Sequence, residues 1–207
     1  EKGLGKSLGF LVGALVIGTA FPHLLNGIDE AFTWKSVLKT TSSFAVFGGL
    51  LMFALVPDGP FRKPSQQTDF SVFFKVFQNK KFRSVTFGYF GHAWELYAFW
   101  AFVPIILKKY SVENPEITFN VSMFSFLIIG IGGLACVISG YLSQKFGVKR
   151  IAFISLLLSC ICCFVSPFIF NSEYEILFFA FLFFWGMVVI ADSPLLSTLV
   201  AQNALAD

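Results

Sequence analysis

The sequence predicts an all-α, polytopic membrane protein with six transmembrane helices, and three observations carry that prediction. Of the 207 residues, 56% are hydrophobic and 13% charged, and the mean hydropathy is +0.76; a soluble domain of this size needs far more polar surface. Apolar runs recur at membrane-spanning length. Basic residues gather in alternate connectors.

The runs come first, because a helix rising 1.5 Å per residue needs about 20 apolar residues to cross a hydrocarbon core of about 30 Å. Six segments meet that requirement: Leu8 to Leu25, Trp34 to Val56, Ser84 to Leu107, Val121 to Ser143, Ile151 to Phe170 and Ile176 to Val200. The first is not read as a signal peptide, since it lacks a small-residue cleavage site and five more spans follow. The longest stretch outside the spans runs from Pro57 to Arg83, so any function is expected inside or across the bilayer. The 29 Phe residues suit lipid-facing helices.

Orientation follows from the connectors, whose Lys and Arg collect on the cytoplasmic side. Lys2 and Lys6, then Arg62, Lys63, Lys75, Lys80, Lys81 and Arg83, then Lys145, Lys149 and Arg150 occupy one set. Asp29, Glu30, Glu113, Glu116, Glu173 and Glu175 dominate the other, against Lys35, Lys39, Lys108 and Lys109. Both ends of the chain are therefore expected to be cytoplasmic. With a net charge of +3 and no basic patch, no nucleic-acid partner is implied.

In the long connector, Pro57-Asp58-Gly59-Pro60 stops the second helix. Phe70, Phe73, Phe74 and Phe77 then repeat at helical spacing, which predicts a short amphipathic helix on the membrane surface. Small residues predict close packing in several spans: Gly132, Cys136 and Gly140 share one face of the fourth, Gly9 and Gly13 one face of the first, and Gly48 and Gly49 thin the second. Cys136, Cys160, Cys162 and Cys163 all lie within spans and read as small apolar fillers; no metal or other cofactor is expected.

Two enzyme signals fail on context. Gly5-Lys6-Ser7 resembles the tail of a phosphate-binding loop, but that motif follows a strand and the next residues here enter a membrane helix. His92 and Glu95 stand three apart, without the His-Glu-x-x-His spacing of a zinc protease. An enzyme is not expected. What remains is a set of polar groups inside the spans, where an ionisable side chain is expensive unless it faces a cavity or a partner. Glu95 lies about 16 Å along the third span, near the midplane. His92 is one turn earlier on the same face. Asp192 lies well inside the sixth span, followed by Ser193 and Pro194; a carboxylate there is expected to cap the second half of an interrupted helix. His92, Glu95, Asp192 and Pro194 are the candidate substrate and proton pathway.

The segment from Gly140 to Arg150, GYLSQKFGVKR, resembles the loop signature of the major facilitator superfamily: Gly140, Lys145, Gly147, Lys149 and Arg150 match, and Gln144 replaces the signature Asp. GHAWELYAFW, from Gly91 to Trp100, and ADSPLLSTLVA, from Ala191 to Ala201, are similar to the seventh and tenth helices of bacterial members. The resemblance covers the whole chain. It implies a fragment of a twelve-helix, two-bundle transporter: residues 1–56 the last two helices of the N-terminal bundle, 57–83 the cytoplasmic linker, and 84–207 the first four helices of the C-terminal bundle.

What the resemblance implies for function is alternating-access transport of a small solute across a membrane of the bacterial inner type, with the lipid bilayer and the solute as partners. Proton coupling is favoured by the buried carboxylates and the nearby His. Gly140, Gln144, Lys145, Gly147, Lys149 and Arg150 become the expected gating loop. The alternative of a different class is a non-transporting six-span scaffold or sensor.

Overall fold

The computed structural model describes residues 3–28, 33–57, 71–171 and 174–204. Within them the chain is all helical: α1 (Leu4–Ile28), α2 (Trp34–Leu55), α3 (Ser71–Gln78), α4 (Lys80–Glu113), α5 (Val121–Phe146), α6 (Val148–Phe170), α7 (Glu175–Ala191) and α8 (Ser193–Asn203). Six helical stretches are long and apolar enough to cross a membrane, with α7 and α8 together forming the last. The chain is an integral membrane protein of six long apolar helices.

Side-chain caps explain where several helices start. Thr33 accepts from the Ser36 N–H at 3.3 Å and opens α2; Asn120 accepts from Met123 at 2.9 Å and opens α5. Asn79 accepts from Lys81 and Phe82, so the third membrane helix begins at Lys80 rather than at Ser84. With 34 residues α4 is about 51 Å long, well beyond a hydrocarbon core. The excess continues past Leu107 as polar helix, with Lys109 and Glu113 paired at 3.6 Å.

The expected surface helix is α3, a single short piece before α4. Phe70 and the Asp58-Gly59-Pro60 turn lie outside the described residues, as do Lys2, Asp29, Glu30, Arg62, Lys63 and Glu173 of the charge pattern. Phe77 turns an edge to Phe82 of α4 at 5.7 Å, so the piece is tied to the helix that follows it.

The tightest packing is between α1 and α5. Association in lipid gains little from the hydrophobic effect and relies on close contact, which small residues permit. A β-carbon placed on Gly9 would lie 2.7 Å from the Cys136 carbonyl oxygen, and one on Gly13 the same distance from that of Gly133. Further along, a β-carbon on Gly140 would lie 2.8 Å from Gly5 O, and Asn120 donates to Gly27 O at 3.1 Å. Numbers falling on α5 as they rise on α1 make the pair antiparallel. Gly132 of α5 meets Gly186 of α7 in the same way, with β-carbon distance 2.9 Å to Gly186 O. Ile128 also crowds Gly186, so those two helices run parallel. Gly48 and Gly49 do not take part: nothing lies within 4 Å of a β-carbon at either, and of the α2 residues only Val37 is buried. Their expected packing role finds no neighbour among the described residues.

At the other end of the bundle Phe serves packing rather than lipid contact. Tyr110 stacks on Phe178 with centroids 3.9 Å apart, and Phe119, Phe124 and Phe179 complete the cluster. Phe178 is fully buried. These contacts align α4 against α7 in antiparallel fashion and hold the register that brings their other ends together.

Candidate functional site

That register carries α4 two further contacts along α7. Phe99 packs on Trp185 at 4.9 Å, and two turns on, His92 reaches the α7–α8 junction. There His92 Nδ1 lies 3.0 Å from Asp192 Oδ2, with the side chains 2% and 1% exposed. The approach is within ion-pair range although the ring N–H is not aligned for a linear hydrogen bond. Among the described residues His92 Nε2 has no hydrogen-bond partner.

Asp192 interrupts the sixth span, as its position before Ser193 and Pro194 suggested, but its carboxylate does not cap α8. The residue has φ −85° and ψ −17°, a helical conformation, and makes no side-chain cap. An N-cap side chain reaches the following N–H groups from extended backbone; from helical backbone it points instead toward α4 and His92. Pro194 sits in the first turn of α8, where its missing N–H costs nothing. The start of α8 is held by its backbone, with Leu195 and Leu196 donating to Asp192 O at 3.0 and 2.8 Å.

Glu95 is bound elsewhere. Its Oε1 accepts from Ser159 Oγ at 2.5 Å and from Cys163 Sγ at 3.4 Å, both on α6. Ser159 is buried, and Glu95 remains partly exposed. His92 and Glu95 therefore make two separate attachments from one face of α4: His92 to the α7–α8 junction, Glu95 to α6.

Between α5 and α6 the chain turns on one residue. Gly147 has φ +90° and ψ 140°, which side-chain-bearing residues avoid, and its N–H closes α5 on Ser143 O at 3.0 Å. Gln144, Lys145, Lys149 and Arg150 are exposed around it. Among the described residues neither Lys149 nor Arg150 forms an ion pair. Both stand in the first turn of α6, where the helix dipole disfavours cations, so helix stability does not account for them. Gly140 belongs to the α1 contact rather than to the turn. Around the loop a shallow depression is lined by Phe146, Lys149, Arg150, Phe153, Leu199 and Gln202. A second joins Gly3, Gly5, Ser143, Gln144, Thr198 and Gln202, placing the start of α1, the loop and the end of α8 on one face of the bundle.

The profile of the Major Facilitator Superfamily matches residues 2–206. The chain belongs to the major facilitator superfamily. No curated protein and no solved structure matches it significantly. As a major facilitator superfamily member it is a membrane transporter and not an enzyme, which favours transport over the scaffold or sensor alternative.

Within this superfamily chain, reading the residues alone missed Ser159 and Cys163. Cys163 is not a mere filler, because its thiol donates to a carboxylate. The available signal was their spacing: two side-chain donors one turn apart on one helix. Cys136 likewise donates, to Ile190 O at 3.5 Å beside the break.

Proposed function

We propose that the protein is a proton-coupled secondary carrier that moves a small solute by alternating access, with Glu95 as the coupling carboxylate. The single observation that supports this reading is the setting of Glu95: a partly exposed carboxylate in a membrane span, held on one oxygen by a hydroxyl and a thiol and, among the described residues, paired with no cation. A fixed charge in lipid is costly, so such a group fits a position that exchanges a proton with a water-accessible cavity. The buried His92–Asp192 pair, with Pro194 two residues on, lies at the break in the last span and is proposed to belong to the same pathway.

The helices are proposed to be the fifth to tenth of the superfamily, with residues 1–56, 57–83 and 84–207 as the end of one bundle, the linker and the start of the second. The loop signature between α5 and α6 and the long connector before α4 support that assignment. On it, the α1–α5 contact joins the two bundles, and both chain ends, the linker and the Gly140–Arg150 segment face the cytoplasm of a bacterial cell. Gln144, Lys145, Gly147, Lys149 and Arg150 then act as the gating loop.

The deciding experiment uses the full-length transporter in proteoliposomes. Glu95→Gln is expected to abolish accumulation driven by a pH gradient and to spare solute exchange, which needs no net proton movement. Unchanged pH-driven uptake in that variant would remove Glu95 from coupling.

A further inference from the structure

We infer that Ser159 on α6 is a positioning residue for Glu95, holding its carboxylate in one orientation and setting how tightly it binds a proton. This rests on the coupling role of Glu95 proposed above and extends it to a second helix.

Both donors converge on one oxygen. Ser159 Oγ lies 2.5 Å from Glu95 Oε1, the separation of a charge-assisted O–H···O bond, and Cys163 adds a weaker S–H contact at 3.4 Å to the same atom. Among the described residues Oε2 has no hydrogen-bond partner, so it is the oxygen left to take the proton. A hydroxyl that donates to Oε1 stabilises the charged carboxylate more than the neutral acid, and removing it makes the carboxylate retain its proton to higher pH.

The bridge links α4 to α6, two helices that do not pack closely on each other along their backbones. A shift of α6 by about 1 Å takes a 2.5 Å contact past the useful range of an O–H···O bond. Proton release would then depend on where α6 stands, which is the linkage between conformation and protonation that coupling requires.

The other titratable groups around Glu95 are few. His92 lies one turn away on its own helix but is turned to Asp192. Cys163 reaches it from α6, and Asp192 is held by His92 at the α7–α8 junction. From α5, Cys136 donates to Ile190 O, two residues before Asp192. None of these replaces the Ser159 hydroxyl as a strong donor to Oε1.

The test measures Glu95 directly, in the full-length transporter in liposomes, by infrared difference spectroscopy across a pH series. The protonated carboxyl band that disappears in Glu95→Gln is followed in Ser159→Ala. Its titration midpoint is expected to move up by about one pH unit, a tenfold change in proton affinity, because a hydrogen bond to a charged group is lost. Ser159→Cys, which keeps a weak donor, should fall between Ser159→Ala and the unaltered protein. The midpoint of pH-driven uptake should follow in the same order, with the amount of folded protein unchanged. A midpoint in Ser159→Ala equal to that of the unaltered protein would overturn the inference while leaving the coupling role of Glu95 standing. Failure of the coupling role appears separately, as normal pH-driven uptake in Glu95→Gln, and would overturn both.

Discussion

His92 Nδ1 and Asp192 Oδ2 are 3.0 Å apart at the point where the last membrane span breaks, so the partner of the midspan histidine is on another helix. Removing either partner leaves the other buried and unpaired, a change that costs about 3–5 kcal/mol. His92→Ala and Asp192→Ala are therefore expected to lower the unfolding temperature in detergent sharply, and Asp192→Asn, which keeps a polar group, much less. A double-mutant cycle on the two alanine variants should return a coupling of about 1–3 kcal/mol. Strict additivity would mean that the two side chains do not interact.

The glycine contacts give a second prediction with an internal control. Gly9→Ala and Gly13→Ala push a β-carbon against backbone carbonyls that cannot rotate away, which is expected to cost about 1–3 kcal/mol and to reduce the yield of monodisperse protein. Gly48→Ala and Gly49→Ala meet open space and should be neutral or slightly stabilising, since Ala favours helix by up to about 1 kcal/mol. Size-exclusion profiles and melting curves of the four variants check it. Equal behaviour of Gly9→Ala and Gly48→Ala would remove the α1–α5 contact as a determinant of stability.

At Gly147 the strain is local and its consequence separable from charge. With φ at +90° and open space around the β-carbon position, Gly147→Ala is penalised by backbone conformation alone, about 1–3 kcal/mol. The expectation is a distorted α5–α6 turn and slower transport. Lys149→Gln with Arg150→Gln should slow transport while leaving the inserted amount nearly unchanged. Reduced insertion at normal specific activity would assign the two cations to topology only.

Access to the helix break is expected to depend on conformation. Ser193 is nearly buried here beside Asp192, so Ser193→Cys in a cysteine-free background should be inert to a water-soluble thiol reagent in this state. It is expected to react when transport is running, and bound solute should slow that reaction. Labelling that is fast and insensitive to solute would place the residue on a permanently wetted surface.

Much of the architecture was legible in the residues. Hydropathy alone located all six spans, because the length of an apolar helix is dictated by bilayer thickness. The loop around Gly147 was legible through its resemblance to a family signature, and its positive φ is one that glycine tolerates. Helix ends were less legible: α4 begins at Lys80 because Asn79 caps it, a local hydrogen bond that a hydropathy window does not register. Polar candidates were found by the cost of placing them in lipid, which marks a residue without naming its partner.

The partners were decided only by tertiary structure. His92 and Glu95 share a helical face, and sequence spacing pairs them with each other. Packing of α4 against α7 through Phe99, Trp185 and the Tyr110 cluster instead carries His92 to Asp192, 100 residues away, while Glu95 turns to Ser159 and Cys163 on α6. Likewise Gly9 and Gly48 look alike in sequence, yet among the described residues another helix approaches only the first. Burial cost and helical period are properties of a residue and its near neighbours, so they are written in the sequence. Which donor meets which acceptor across helices depends on the register of side chains packed far from both, and that is settled only when the bundle closes.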